Sequence, residues 1–416
     1  MQYSNFGQRF AGVSGTRKLM DDLGAVARAE RPVCNLGGGN PAAIPALQTH
    51  FRERMAACVA SGEFDALIAR YDDPQGYRPF LEAVAQYLNA TCGWRLTYRN
   101  IVATAGSQAS FFMLFNLFAG ATNGGVRRIL FPCAPEYIGY SELGVEPGLL
   151  RSCPARIELI GEHGFKYHVD FEQLQVASDV GAICVSRPSN PTGNVVTDEE
   201  LEQLGARAAA AGVPLIVDGA YGLPFPGIVF CPATPVWSDD TILCLSLSKL
   251  GLPGLRTGIV VASEDVVQVL TSFNATLMLS NNPIASVLVT DLLASGELRT
   301  LCEDFVGPFY AERAAQAVAW CHESFAGLDY RIHSAEGAIF LWLWFPGLPI
   351  PVEVLYERLK VRGVLVIPGH HFTPGLDADW RHVHECLRVS YAQDSAGVRR
   401  GIGIIAEEVR KAWAER

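Results

Sequence analysis

Ser246-Leu247-Ser248-Lys249-Leu250-Gly251-Leu252-Pro253-Gly254-Leu255-Arg256-Thr257-Gly258 closes an apolar run that begins at Thr241. The run 241–247 predicts a short strand buried in a parallel sheet, and a second apolar strand is predicted over 258–262. Between them lie a serine-bracketed lysine and a Gly/Pro-rich turn. A lysine at the end of a buried strand is costly to hold as a cation, so its pKa is pushed down. Such an amine is a nucleophile toward carbonyl groups. The same pattern also fits a strand capped by an exposed lysine, so the rest of the chain must decide.

A length of 416 residues predicts one large and one smaller domain. With 49% hydrophobic and only 18% charged residues, the chain can bury a sizeable core. Its net charge of −10 argues against nucleic acid or an anionic membrane as partners. The densest apolar stretch, 338–345, is too short to span a bilayer, and residues 1–30 lack the apolar core of a secretion signal. The 11 cysteines are scattered without CxxC pairs, which predicts reduced thiols in a cytoplasmic protein. His370-His371 and His382 with His384 resemble metal ligands, but no second cluster completes a site, so no metal is expected.

Residues 1–30 read as an amphipathic, partly helical arm. Asn35-Leu36-Gly37-Gly38-Gly39-Asn40-Pro41 is a turn where bare backbone can approach a ligand. Helices are predicted over 51–58 and, opened by Pro79, 79–92. Apolar runs then alternate with helical patterns, the signature of a parallel sheet with crossover helices. Strands are expected at 101–104, 128–131, 182–186 and 213–217, with helices at 110–118 and 198–211. Thr197 is the expected N-cap of the latter. Beyond 282 helical patterns dominate (285–293, 297–303, 310–325), followed by strands at 338–345, 364–367 and 386–391 and a last helix over 398–414. The expected organisation is α/β. Residues 1–45 form the arm and part of the smaller domain, 46–299 the large domain with a mostly parallel sheet flanked by helices, and 300–416 the smaller α/β domain.

In an open α/β sheet ligands sit beyond the carboxyl ends of the strands. After 101–104 come Gly106, Ser107 and Gln108 at a helix entry, suited to a phosphate. Tyr137 follows 128–131 and can stack on a ring. Asn190 follows 182–186 in a rigid Ser-Asn-Pro-Thr-Gly loop. Asp218, with Tyr221 after it, ends 213–217; a buried acid there needs a cationic partner, which a pyridinium N–H would supply. Ser246, Lys249 and Arg256 complete the set. Each alone fits ordinary loop chemistry, but together they deliver complementary groups to one rim.

Asn190-Pro191-Thr192-Gly193, Asp218-Gly219-Ala220-Tyr221, Ser246-Leu247-Ser248-Lys249 with Arg256, and Arg388-Val389-Ser390 resemble, in order, the motifs of the fold type I (class I/II) pyridoxal phosphate (PLP)-dependent aminotransferases. The resemblance spans nearly the whole chain. Leu36–Pro41, Phe131–Tyr140, Phe165–Phe171 and Ala338–Phe345 are similar to the valine–pyruvate members of that family. The resemblance implies PLP as cofactor, joined to Lys249, with Asp218 on the pyridine nitrogen and Tyr137 stacked on the ring. Tyr221 and Asn190 would hold the ring oxygen. Gly106, Ser107, Gln108, Ser246 and Arg256 would hold the phosphate. Arg388, with Asn190 and the Gly38 backbone beside it, would clamp the substrate carboxylate. Tyr71 would reach the phosphate of a neighbouring subunit in a homodimer.

The implied activity is ping-pong amino transfer between a small or branched aliphatic amino acid (valine, alanine) and a 2-oxo acid (pyruvate, 3-methyl-2-oxobutanoate). The alternative is a PLP enzyme of the same fold acting on a polar or specialised amino acid, as aminotransferase or as lyase or synthase. Thr16-Arg17-Lys18 and Leu279-Ser280-Asn281-Asn282-Pro283 depart from the family pattern, the first where apolar cover for the substrate is expected.

Overall fold

Along Thr241–Ser246 the side chains alternate between faces, and both faces are buried: Ile242 and Cys244 belong to one core, Leu243 and Leu245 to the other. The same alternation holds in Gly258–Val261, where Val260 joins the first core and Ile259 and Val261 the second. Strands buried on both sides require cover on both faces of the sheet. The protein, seen here in a computed structural model that describes residues 2–11, 17, 21, 24, 33–376 and 379–416, supplies that cover.

The large sheet has the order Ile101–Thr104, Gly258–Val261, Thr241–Ser246, Leu215–Asp218, Val180–Ser186, Gly125–Ala134, Gly120–Thr122, with Leu150–Pro154 also pairing Gly125–Ala134. Gly258–Val261 is antiparallel to both neighbours, whereas the strands from Thr241–Ser246 to Gly125–Ala134 are parallel. On one face lies the helix Ser107–Phe118, whose Phe111 and Phe115 pack with Phe131 and Tyr140. The helices Arg78–Cys92 and Asp198–Ala211 belong to the other core. Asp198–Ala211 opens, as expected, on Thr197: its hydroxyl accepts from the Glu200 N–H, and Glu200 answers with a bond from the Thr197 N–H.

A smaller sheet has the order Ile367–Pro368, Cys386–Ser390, Phe340–Trp344, Arg331–His333, Gly164–His168, Arg156–Ile160. Its last two members form a hairpin that comes from within the large sheet's stretch of chain. They pair with Arg331–His333, far along the sequence. The predicted strand 364–367 is divided. Val364–Leu365 pairs with Cys34–Asn35 at the N-terminal end, while Ile367–Pro368 pairs with Cys386–Ser390. The predicted helices 297–303 and 310–325 are joined, because a π-helical turn at Cys302–Val306 links Glu297–Leu301 to Gly307–Ser324. A helix at Glu264–Met278, for which no element was expected, lies between the strand Gly258–Val261 and the helix Ile284–Ser295. This is the fold type I architecture: a large, mostly parallel sheet flanked by helices, with a smaller α/β part built on the second sheet. No helix among the described residues is long and apolar enough to cross a membrane.

Candidate active site

Register decides where the site lies. Asp218 sits opposite Ser186 on one side and Cys244 on the other, and Ser246 pairs with Gly258, which in turn pairs with Thr104. The strand ends therefore converge on one rim. The antiparallel Gly258–Val261 brings Arg256, just before its first residue, to the same place. A cavity of about 590 Å³ opens there. Its lining includes Gly38, Ser107, Gln108, Tyr137, Asn190, Asp218, Tyr221, Ser246, Lys249, Arg256 and Arg388. Two expected residues are not in that lining. Gly106 lies behind Arg256, and Tyr71 is 80% exposed, outside the cavity of its own chain.

At one end, Gly106 opens the helix Ser107–Phe118 with φ +96, and a Cβ there would lie 2.4 Å from Arg256 Nη2. Only glycine leaves the guanidinium room beside the helix N-terminus, whose first N–H groups have no intrahelical acceptor. Arg256 itself holds φ +52, a left-handed conformation that is strained for a side-chain-bearing residue. The Ser246 hydroxyl caps the next turn by accepting from the Ser248 N–H. A helix N-terminus beside a guanidinium has the electrostatics that suit an anion.

In the middle, Lys249 Nζ donates to the Gly39 carbonyl at 2.7 Å and lies 5.0 Å above the Tyr221 ring. Burial, helped by Arg388 and Arg256, lowers its pKa to about 8, against the pull of Asp218. Asp218 takes hydrogen bonds from Tyr140 Oη at 2.5 Å and from the Ala220 N–H at 2.9 Å. Burial raises the Asp218 pKa, and these bonds oppose it by favouring the carboxylate.

At the far end Arg388 is 3% exposed. It donates to Asn190 Oδ1 at 2.7 Å and to the Gly37 carbonyl at 2.6 Å, with Phe340 and Phe372 rings 4.1 and 5.1 Å from its Cζ. Its Nε is buried with no hydrogen-bond partner among the described residues. Burial lowers its pKa to about 10. A buried guanidinium met by carbonyl oxygens alone is an incomplete ion pair, which a carboxylate in the cavity would complete.

A family model for aminotransferase class I and II matches residues 65–405. The chain belongs to the class I and II aminotransferases. It is 46% identical to the valine–pyruvate aminotransferase of Escherichia coli K12, with 100% of both chains covered. Among solved structures, the valine–pyruvate aminotransferase of Salmonella typhimurium LT2 is 45% identical with a TM-score of 0.89, covering 97% of this chain and 100% of its own. A Psychrobacter arcticum 273-4 chain assigned to the amino-acid aminotransferases is 42% identical with a TM-score of 0.97 and full coverage of both chains.

Other residues of this aminotransferase's site lie within the family-like stretches Phe131–Tyr140 and Phe165–Phe171, although no role was expected of them. Tyr140 stands in the turn Ile138–Tyr140 and Glu136 just before Tyr137. Glu136 is 1% exposed, with Oε2 2.5 Å from Ser186 Oγ and Oε1 accepting the Ser186 N–H at 3.0 Å. Burial raises its pKa to about 8, against the bonds from Ser186 that favour the carboxylate. An acid two residues past the strand Gly125–Ala134 was the available clue. Lys166 braces the Asn190 loop: its Nζ donates to Asn194 Oδ1 at 3.2 Å and to the Val195 carbonyl at 3.1 Å, and it pairs with Glu336. Of the two departures, Arg17 is exposed with Nε 3.7 Å from Asp21 Oδ2, and Lys18 lies outside the described residues. Asn281, from the second, donates to the Ala103 carbonyl at 2.9 Å.

Proposed function

We propose that this aminotransferase uses PLP to exchange amino groups between valine or alanine and pyruvate or 3-methyl-2-oxobutanoate. The arrangement suits that cofactor. Gly106, Ser107, Gln108, Ser246 and Arg256 would hold its phosphate, Asp218 its ring nitrogen, Tyr221 and Asn190 its ring oxygen, and Tyr137 its face. Lys249 supplies the amine for its aldehyde. PLP, when bound, supplies the electron sink that makes the substrate Cα–H acidic. Lys249 Nζ, held near neutrality by burial, takes the Cα proton and returns it as general base and acid. Asp218 holds the balancing negative charge. Arg388 orients the substrate by its carboxylate, and both half-reactions share one site, so turnover is ping-pong.

The observation that carries the substrate assignment is the cation inventory. Among the described residues lining the cavity, the cations are Lys249, Arg256 and Arg388, and each already has a task. A side-chain carboxylate would sit unpaired, at a cost of several kcal/mol. Valine and alanine differ only by apolar contact, about 1–3 kcal/mol. The names of the Escherichia coli and Salmonella relatives agree with this choice. We expect kcat/KM for aspartate and glutamate to fall at least ~10²-fold below that for valine or alanine. A preference for either acidic amino acid would overturn the aliphatic assignment, and its disappearance in Arg17→Ala would put Arg17 in the pocket.

The active unit in this reading is a homodimer in which Tyr71 reaches the partner's phosphate site. Tyr71 and Ile68 are exposed, as are Leu277 and Leu279 beside Asn274 and Asn281, which hold the Pro74 carbonyl. Apolar exposure of that kind favours a covering partner. Mixing Tyr71→Phe chains with Lys249→Ala chains is expected to recover activity, since one site of each hybrid keeps both groups. Verified hybrids that stay inactive, when Tyr71→Phe alone is impaired, would make the sites self-contained. The 11 cysteines are free thiols, which suits a cytoplasmic location.

A further inference from the structure

On the far side of the Arg388 strand the fold completes a cluster that is incomplete in the sequence. His370 stands in the turn Gly369–Phe372, His384 in the turn Arg381–Glu385, and Glu353 at the start of the helix Val352–Val361. Glu353 Oε1 lies 2.9 Å from His370 Nδ1 and 3.1 Å from His384 Nδ1. The two imidazoles are parallel, with centroids 5.4 Å apart and planes 3° from each other. One ligand atom from each of the three residues lies within 4.8 Å of the others. His382, the other histidine of that pair in the sequence, goes elsewhere: it is buried, with Nε2 2.5 Å from Tyr167 Oη.

His384 is the informative member. Its Nδ1 faces Glu353, and its Nε2 lies 3.4 Å from Oδ1 of Asp379, whose side chain is exposed. A neutral imidazole has one N–H, so either tautomer leaves a lone pair facing a carboxylate oxygen. The repulsion is removed by a second proton or by a metal ion on Nδ1. A second proton would satisfy His384 alone, between the carboxylates of Glu353 and Asp379. A metal instead uses both Nδ1 lone pairs and the carboxylate together, and leaves the Nε2–H of His384 for Asp379. A carboxylate on the outer nitrogen is the usual support of a metal-bound histidine. Two imidazole nitrogens and one carboxylate oxygen suit zinc or a neighbouring transition metal rather than magnesium or calcium.

We propose that Glu353, His370 and His384 form a binding site for a divalent transition-metal ion, of the zinc class, separate from the cavity that holds Lys249. The site ties three segments of the smaller sheet's surroundings together. One is the turn whose Phe372 lies 5.1 Å over the Arg388 guanidinium, so the ion staples the wall behind the carboxylate clamp.

The test is equilibrium dialysis of the holoenzyme against zinc chloride, with thermal melts of the same samples. Wild type is expected to take up zinc at this site and to melt higher with zinc than without. Glu353→Gln and His384→Gln, each checked for a wild-type fold by circular dichroism, are expected to lose at least ~tenfold in zinc affinity and most of the thermal gain. His370→Gln provides a further ligand variant should either of those fold poorly. Wild type that binds no zinc would leave a protonated imidazole network and overturn the proposal. Zinc bound equally by wild type and the ligand variants would place the ion on other groups, such as the cysteines, and would overturn it too.

Discussion

Lys249→Met is expected to lower kcat for valine–pyruvate exchange by ~10²–10⁴-fold or more, because it removes the amine proposed to carry the Cα proton. Borohydride reduction of the PLP-loaded enzymes should fix a cofactor mass to wild-type chains and not to the variant. The same substitution is expected to make the apo protein more stable near neutral pH. The Lys249 pKa falls from 10.5 to about 8 in the folded chain, chiefly through desolvation. Below about 8 the folded protein carries a poorly solvated cation, and the penalty is full. As pH rises from about 8 to 10.5 the unfolded chain binds more protons than the folded one, so wild-type stability climbs across that window. The penalty relieved at pH 7 is about 1–3 kcal/mol, the lower end applying where cavity water screens the charge. Thermal melts of both apo proteins at pH 7 and pH 10 should show the variant ahead at the lower pH and the gap narrowing at the higher. Near-normal turnover would remove Lys249 from the reaction. A variant that is less stable at pH 7 would contradict the buried-cation account.

Asp218→Asn should have the second-largest effect, a fall in kcat of ~10²–10³-fold with the fold intact. The asparagine keeps the shape and can still accept the Ala220 N–H, but the negative charge is gone. That charge lies in a low-dielectric setting, where an ion's influence on a neighbouring ring nitrogen is largest. Glu136 cannot replace it: Ser186 and Tyr140 stand between the two acids. Steady-state kinetics together with circular dichroism decide the matter. If kcat stays within a few-fold of wild type, the charge at Asp218 is not what activates the cofactor, and the ring-nitrogen assignment fails.

Much of this was written in local sequence. The strand Ile101–Thr104 and the helix Asp198–Ala211 match their expected bounds, because each is set by neighbours in the chain: a run of apolar residues in one, a capping box in the other. The cavity groups were legible for a related reason. A strand end followed by a turn is a local event, so Asp218, Asn190 and Lys249 could be placed on the rim before their mutual distances were known. Arg388 came from a motif alone. Its setting, between Asn190 and the Gly37 carbonyl and under two aromatic rings, depends on segments far apart in sequence.

What only tertiary structure decided has the same character throughout. The hairpin Arg156–Ile160 and Gly164–His168 leaves the large sheet's stretch of chain because its edge partner is Arg331–His333, and no local periodicity names a partner that distant. Glu136 and Tyr140 look like ordinary residues beside Tyr137 until packing sets them behind Asp218. Glu353 is one more surface acid on an amphipathic helix until two turns bring His370 and His384 to its carboxylate. Sequence by itself determined the elements and the groups at their ends, since propensity, capping and period act over a few residues. The pairings that buried those groups, shifted their pKa values and joined them into sites are long-range contacts, and their energies arise only when the chain closes on itself.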